Sequence, residues 1–192
     1  MKILGVIPAR YNSSRFPGKP LANIGGKSMI ERVYTQARKC DLLSELYVAT
    51  DDDRIFAHVK SFGGEVLITG EHNSGTERCN ALYKNLKKEF DVIVNIQGDE
   101  PFINPDQISQ LADCFLDEDI AIATLAKQIK TAEQLLDENT VKVMFDKNNF
   151  ALNFSRLDIP QRKSFDVKKW FVLNTFYKHI GIYGYSAKAL EK

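Results

Sequence analysis

The sequence predicts an α/β protein with a mostly parallel central sheet and an antiparallel extension in its second half. Three observations carry that prediction. Up to about residue 116, short apolar runs alternate with segments whose apolar residues recur at helical spacing. Beyond residue 120 the alternation stops, and the runs 141–146 and 150–154 face each other across Lys147-Asn148-Asn149, as the arms of a hairpin do. The first apolar run, Ile3-Leu4-Gly5-Val6-Ile7, passes into Pro8-Ala9-Arg10-Tyr11-Asn12-Ser13-Ser14-Arg15-Phe16-Pro17-Gly18-Lys19-Pro20-Leu21, whose Pro, Gly and Ser residues continue neither strand nor helix. At 192 residues and 44% hydrophobic content, a single domain over 1–192 with a sizeable core is expected.

After the 8–21 loop, Ser28 and Glu31 stand at capping-box spacing, and Ile30, Val33, Tyr34 and Ala37 form one apolar face of a helix running to about Cys40. Residues 46–50 are the second strand. Asp51, Asp52 and Asp53 supply an N-cap and first-turn charge to a helix with Ile55, Phe56, Val59 and Phe62 inward, closed by Gly63-Gly64. The three aspartates also invite a metal-site reading, and capping is preferred. Residues 65–68 form a third strand. Ser74 and Glu77 repeat the capping spacing and begin a helix to about Lys88. The most apolar strand, 91–96, ends in Gln97-Gly98-Asp99-Glu100-Pro101, and Asn104-Pro105 caps a helix to about Leu116 with Ile108, Leu111, Ala112 and Phe115 buried. A strand at 120–126, a short helix at 132–137, the hairpin, a polar loop at 161–169 and a last strand at 180–185 complete the chain.

Bulk properties exclude several classes of function. Lys plus Arg number 26 against 25 acidic residues, so the chain lacks the footprint of a nucleic-acid or membrane-surface binder, and neither partner is expected. The 3 cysteines, Cys40, Cys79 and Cys114, fit neither a disulfide framework nor a zinc pattern and are read as small buried apolar side chains. The apolar stretch before Pro8 is too short for a secretory signal, and no run approaches membrane-spanning length; a cytoplasmic protein is expected.

The 8–21 loop carries Arg10, Arg15 and Lys19 beside the small residues Ser13, Ser14 and Gly18. Forked and point-like cations on an open backbone suit a polyphosphate, and a solvated basic loop is the alternative. Its position after the first strand favours the ligand reading. Gly75 at a helix start is explained by capping alone, or by N–H groups that hold a base edge or phosphate. Asp99 and Glu100 at a strand end are either solvated or the one or two carboxylates that Mg²⁺ needs beside triphosphate oxygens. Gly25-Gly26-Lys27-Ser28 resembles the end of a P-loop, but Leu21 stands where that pattern requires Gly. No GxGxxG or GxSxG motif is present, and His58, His72 and His179 lack ligand spacing.

Four blocks together resemble the 3-deoxy-manno-octulosonate (KDO) cytidylyltransferases, with their Rossmann-like nucleotidyltransferase fold. They are Pro8-Ala9-Arg10 through Arg15-x-Pro17-Gly18-Lys19-Pro20-Leu21; His72-x-Ser74-Gly75-Thr76-Glu77-Arg78; Val94-Asn95-x-Gln97-Gly98-Asp99-Glu100-Pro101; and Phe154-Ser155-Arg156 with Ile159-Pro160. A fifth piece, His179 to Tyr185, is similar further on. The resemblance extends end to end, with small departures at Ser14, Phe16 and Glu71. Family members run several tens of residues past the point matching Lys192, so a C-terminally incomplete domain is expected. The resemblance implies CTP and KDO as substrates, CMP-KDO and pyrophosphate as products, lipopolysaccharide biosynthesis as the context, Mg²⁺ as cofactor and a homodimer. It also implies that Arg10, Lys19 and Asp99 are catalytic, with Asp99 holding the metal. Pro8, Ala9, Arg10, Arg15, Lys19, Ser74, Gly75 and Thr76 would bind the nucleotide, and Gln97, Arg156, His179 and Tyr183 the sugar acid. Arg78 either serves the site or pairs with an acid such as Glu77 or Glu100. The alternatives are a cytidylyltransferase for a sialic acid or related sugar acid, and a CTP-binding fragment without turnover.

Overall fold

The computed structural model describes residues 1–12, 16–157, 171 and 174–191. Within them the chain forms two compact units, residues 1–123 with 182–192, and residues 124–181. In chain order the first unit opens with β1 (Ile3–Ala9), the short ribbon β2 (Asn23–Ile24) and β3 (Lys27–Ser28), α1 (Met29–Ala37), β4 (Leu43–Thr50) and α2 (Asp53–Ser61). It continues with β5 (Val66–Ile68), α3 (Gly75–Leu86), β6 (Val92–Asn95) and α4 (Pro105–Asp113).

The sheet order β5-β4-β1-β6 is parallel throughout. β1 lies between two neighbours and is buried along nearly its whole length, which is why it reads as an unbroken apolar run rather than an alternating one. Leu4 and Val6 meet Cys79, Leu82 and Ile93 in one cluster where each of these five is fully buried. Each Leu, Val or Ile there contributes about 1.5–3 kcal/mol by leaving water.

Helix starts follow the expected chemistry. Ser28 Oγ accepts from the Glu31 N–H at 3.1 Å, Asp52 caps α2, Ser74 Oγ accepts from the Glu77 N–H at 3.1 Å, and Asn104 with Gln107 forms a reciprocal capping box. Asp52 is therefore a cap, as preferred over a metal ligand. Ends differ more. β4 begins at Leu43 rather than Leu46, because Leu43 is itself buried in the core. α1 stops at Ala37 rather than Cys40, and α4 passes into a 3-10 turn at Cys114–Leu116. Gly25 and Gly26, at φ +56° and +86°, make the two-residue turn of the β2–β3 ribbon, which apolar patterning could not reveal.

One expectation about the cysteines is corrected. Cys40 and Cys79 are buried, but Cys114 is exposed. The buried stripe of this helical segment is Ile108, Leu111, Ala112 and Phe115, and Cys114 falls off it.

The second unit is antiparallel. It contains most of β7 (Ile122–Gln128), α5 (Ala132–Leu136), β8 (Lys142–Phe145), β9 (Ala151–Ser155) and the first half of β10 (Tyr177–Ser186). β8 and β9 form the expected hairpin, with Asn149 at φ +66° in its turn, and Tyr177 and Lys178 of β10 pair with β8. The second half of β10 belongs to the first unit, where Tyr183 to Ser186 run antiparallel to β6. The final turn, α6 (Ala187–Leu190), capped by Ser186, was not expected from the sequence. The polar loop expected at 161–169 lies outside the described residues. No helix among the described residues is long and apolar enough to cross a membrane.

Candidate functional site

Three segments converge at the carboxyl ends of the parallel strands. The first is the end of β1. Pro8 and Ala9 pair with Ala49 and Thr50 of β4, which fixes the strand end, and Arg10 follows, exposed. The chain returns at Gly18, whose left-handed φ of +71° turns it into the 3-10 turn Lys19–Leu21; buried Pro20 anchors that turn and Lys19 stays half-exposed.

The second segment is the start of α3. Ser74 uses its hydroxyl as the cap, so the first-turn N–H groups at Gly75 and Thr76 lie at the positive end of a 12-residue helix. A Cβ on Gly75 would meet Pro8 Cγ at 3.4 Å and Asn95 Nδ2 at 3.5 Å, ordinary contact distances, so the helix start rests directly on the ends of β1 and β6.

The third segment, Gln97-Gly98-Asp99, leaves β6. At Gly98 an added Cβ would lie 2.8 Å from the Pro8 carbonyl oxygen, a backbone atom that cannot move aside. Glycine thus lets the β6 loop approach β1 closely enough for Asp99 to reach Lys19. Lys19 Nζ donates to Asp99 Oδ2 at 2.6 Å across 80 residues of sequence.

The three segments enclose a cavity of about 280 Å³. Pro8, Ala9, Arg10, Lys19, Ser74, Gly75, Gln97 and Asp99 all line it. Arg78, for which a role in the site was one of two expectations, lines it as well, and so do Pro20, His72 and Asn73, which were not assigned to the site from sequence. The available signal was their place inside the same motif blocks. A second polar cavity of about 450 Å³ shares Arg10, His72, Asn73 and Arg78 and adds the carboxylates of Asp51, Glu71 and Glu77.

Other candidates sit elsewhere. The Thr76 hydroxyl is 3.1 Å from the Tyr185 hydroxyl and does not line the first cavity. Tyr183 also lies off the cavity wall; it packs on the core beside Tyr185, and burial pushes both phenols up. Arg156 and His179 belong to the second unit. Arg156 is exposed and its carbonyl accepts from buried Lys142 at 3.0 Å. His179 Nε2 is 2.9 Å from Thr124 Oγ1, and burial pushes its pKa down, which favours the neutral ring. Arg15 lies outside the described residues.

Arg78 pairs with neither Glu77 nor Glu100. Its guanidinium is 4% exposed and donates to Asp51 Oδ2 at 2.8 Å, to the Gly70 carbonyl at 3.1 Å and to Thr69 Oγ1 at 3.2 Å. The helical turn from Ser74 aims Arg78 inward, toward the loop after β4, whereas Glu77 is exposed and accepts from the Asn73 N–H.

A parallel sheet whose strand-end loops present two cations, a helix N-terminus and one carboxylate around a cleft is the architecture of a nucleotide-binding α/β protein. The comparisons with known proteins narrow this class. A cytidylyltransferase family model matches residues 4–192. A 3-deoxy-manno-octulosonate cytidylyltransferase of Cytophaga hutchinsonii is 52% identical over 194 residues, covering 100% of this chain and 77% of that protein. An 8-amino-3,8-dideoxy-manno-octulosonate cytidylyltransferase of Shewanella baltica is 45% identical, with 100% and 77% covered. The solved structure of a CMP:2-keto-3-deoxy-manno-octonic acid synthetase complexed with CTP superposes with a TM-score of 0.89 at 40% identity, covering 100% of this chain and 76% of that one. The chain belongs to the cytidylyltransferase family, in its 3-deoxy-manno-octulosonate branch.

Proposed function

We propose that this chain transfers the cytidylyl group of CTP to KDO, forming CMP-KDO and pyrophosphate for lipopolysaccharide biosynthesis in the cytoplasm. The observation that carries the reading is the Lys19–Asp99 pair, a cation and a carboxylate brought together at the strand ends of a cytidylyltransferase fold. Arg10 and Lys19 neutralise the triphosphate, and the α3 start with the Pro8-Ala9 backbone receives the nucleotide. The anomeric hydroxyl of KDO attacks the α-phosphorus and the bond to the β-phosphate oxygen breaks. Such a step rests on positioning and charge stabilisation rather than on a covalent nucleophile. Gln97, on the wall of the same cavity, faces the sugar acid, and its amide suits the acid's oxygens. The three free thiols agree with a reducing compartment.

Mg²⁺ is part of the proposal. Among the described residues no group of three or more His, Cys, Asp or Glu gathers into a cage. A lone Asp99 on the cavity wall instead fits a cation carried mainly by phosphate oxygens and water, which needs only one or two carboxylates. Bound there, the ion would polarise the phosphoryl oxygens and offset the charge that develops on them.

The Shewanella relative favours one second reading, an 8-amino sugar acid as acceptor. Pyrophosphate release from CTP and Mg²⁺ with KDO, its 8-amino analogue or a sialic acid separates the possibilities. KDO is expected to give the highest kcat/KM, by about tenfold or more. A higher value with another sugar reassigns the acceptor, and CTP binding without pyrophosphate release in any mixture identifies a binding protein.

A homodimer is proposed through the second unit. Phe150, Leu152 and Phe154 alternate along one face of the hairpin and are exposed at 58%, 66% and 44%, an apolar surface that isolated subunits rarely leave in water. Light scattering is expected to give about twice the 21.8 kDa chain mass, and Leu152→Glu a single-chain mass. A parent protein that elutes as a monomer at micromolar concentration contradicts this assembly.

A further inference from the structure

The chain leaves the cavity at Arg10 and re-enters it at Lys19, and a side-chain clip closes the intervening loop at its base. The Gly18 N–H donates to the Tyr11 carbonyl at 2.8 Å. A Cβ on Gly18 would lie 3.1 Å from Tyr11 Cε2 and 3.2 Å from Cζ, so the ring edge packs on the Gly18 backbone. The Arg54 guanidinium carbon lies 3.3 Å from the centre of the same ring, a cation–π contact. Asp52 grips Arg54 in a two-pronged pair, Nε to Oδ1 at 3.0 Å and Nη2 to Oδ2 at 2.6 Å. Asp52 is also the cap of α2, accepting from the Arg54 and Ile55 N–H groups, and α2 is seated in the core through fully buried Ile55 and Val59. An unbroken run of contacts therefore leads from a core helix through Asp52, Arg54, Tyr11 and Gly18 to Lys19, whose ammonium meets Asp99. Asp52, Arg54 and Tyr11 line neither polar cavity.

We propose that Tyr11 and Arg54 are positioning residues for triphosphate binding, holding Arg10 and Lys19 at the spacing that the phosphate groups require. The proposal rests on the CTP-dependent reading given above. Lysine reaches its partner on a flexible four-carbon stem, so its geometry depends on where its backbone is held. Gly18 is the hinge of that backbone, and the Tyr11 ring is what it is held against. The Arg54 side chain is 58% exposed, so removing its contacts disturbs the base of the loop more than the core.

The test is calorimetric titration of CTP together with steady-state kinetics in Arg54→Met, Tyr11→Leu and Tyr11→Phe. Arg54→Met and Tyr11→Leu are expected to weaken CTP binding and raise KM for CTP by about tenfold. KM for KDO should stay within about twofold and the melting temperature within about 2 °C. Tyr11→Phe keeps the ring and should recover the parental KM for CTP. If Tyr11→Leu does not fold, Arg54→Met decides alone. Parental CTP affinity in folded Arg54→Met overturns the clip while leaving the transferase reading intact. A parent protein that binds CTP but transfers nothing overturns the transferase reading, and calorimetry still judges the clip; no CTP binding by the parent overturns both.

Discussion

Asp99→Asn is expected to lower CTP turnover by on the order of 10²-fold or more, with the melting temperature within about 2 °C of the parent. The asymmetry follows from exposure. Lys19 and Asp99 are 37% and 48% exposed in their side chains, and a surface pair of this kind contributes only about 0–1 kcal/mol to the fold. Its removal is thus nearly silent in a thermal melt. In the reaction the same carboxylate is proposed to share Mg²⁺ with triphosphate oxygens, and an amide of equal shape lacks the charge for it. Pyrophosphate release measured across a Mg²⁺ titration, beside a melt of the same sample, reads both effects. A variant that turns over normally at ordinary Mg²⁺ would sink the assignment and leave Asp99 as the surface partner of Lys19.

Arg78→Met should show the opposite balance, with a large loss of stability. The Arg78 guanidinium is buried, and its donors reach Asp51, Thr69 and Gly70. Taking it away strands the Asp51 carboxylate, itself only 22% exposed, beside an apolar stem. Breaking such a pair from one side costs about 3 kcal/mol, a fall in melting temperature of about 6–12 °C for a chain of this size. Arg78→Lys should recover part of the loss, since an ammonium restores the charge at Asp51 without the planar fork. CTP affinity measured well below the melting transition separates the two roles. A parental melting curve with lost CTP binding would make Arg78 a ligand contact rather than the strut between the β4 and β5 loops.

Both predictions turn on pairings that the sequence does not display. The starts of α1 to α4 were legible, because a cap joins a side chain to a backbone N–H two or three residues on, as at Ser28, Asp52, Ser74 and Asn104. The central strands were legible because a strand between two neighbours is apolar along its length, as β1 and β6 are. The family's motif blocks also pointed to the cavity wall, where Pro8, Arg10, Lys19, Gly75, Gln97 and Asp99 assemble.

What depends on the order of strands was not legible. Lys19 meets Asp99 only because β6 lies beside β1, and Asp51 meets Arg78 only because β4 lies on the other side of β1. Thr76 bonds Tyr185 across 109 residues because β10 pairs with β6. Without that order, Arg78 was matched either with the site or with the acids of the motif blocks, Glu77 and Glu100, and not with Asp51. Local pattern was enough for most strands, for helices α1 to α4 with their caps and for the residue types at the strand ends, since those rest on interactions within a few residues. The tertiary structure alone decided which cation faces which carboxylate and that Arg54 braces Tyr11, because those pairings exist only after distant strands and helices have been laid side by side.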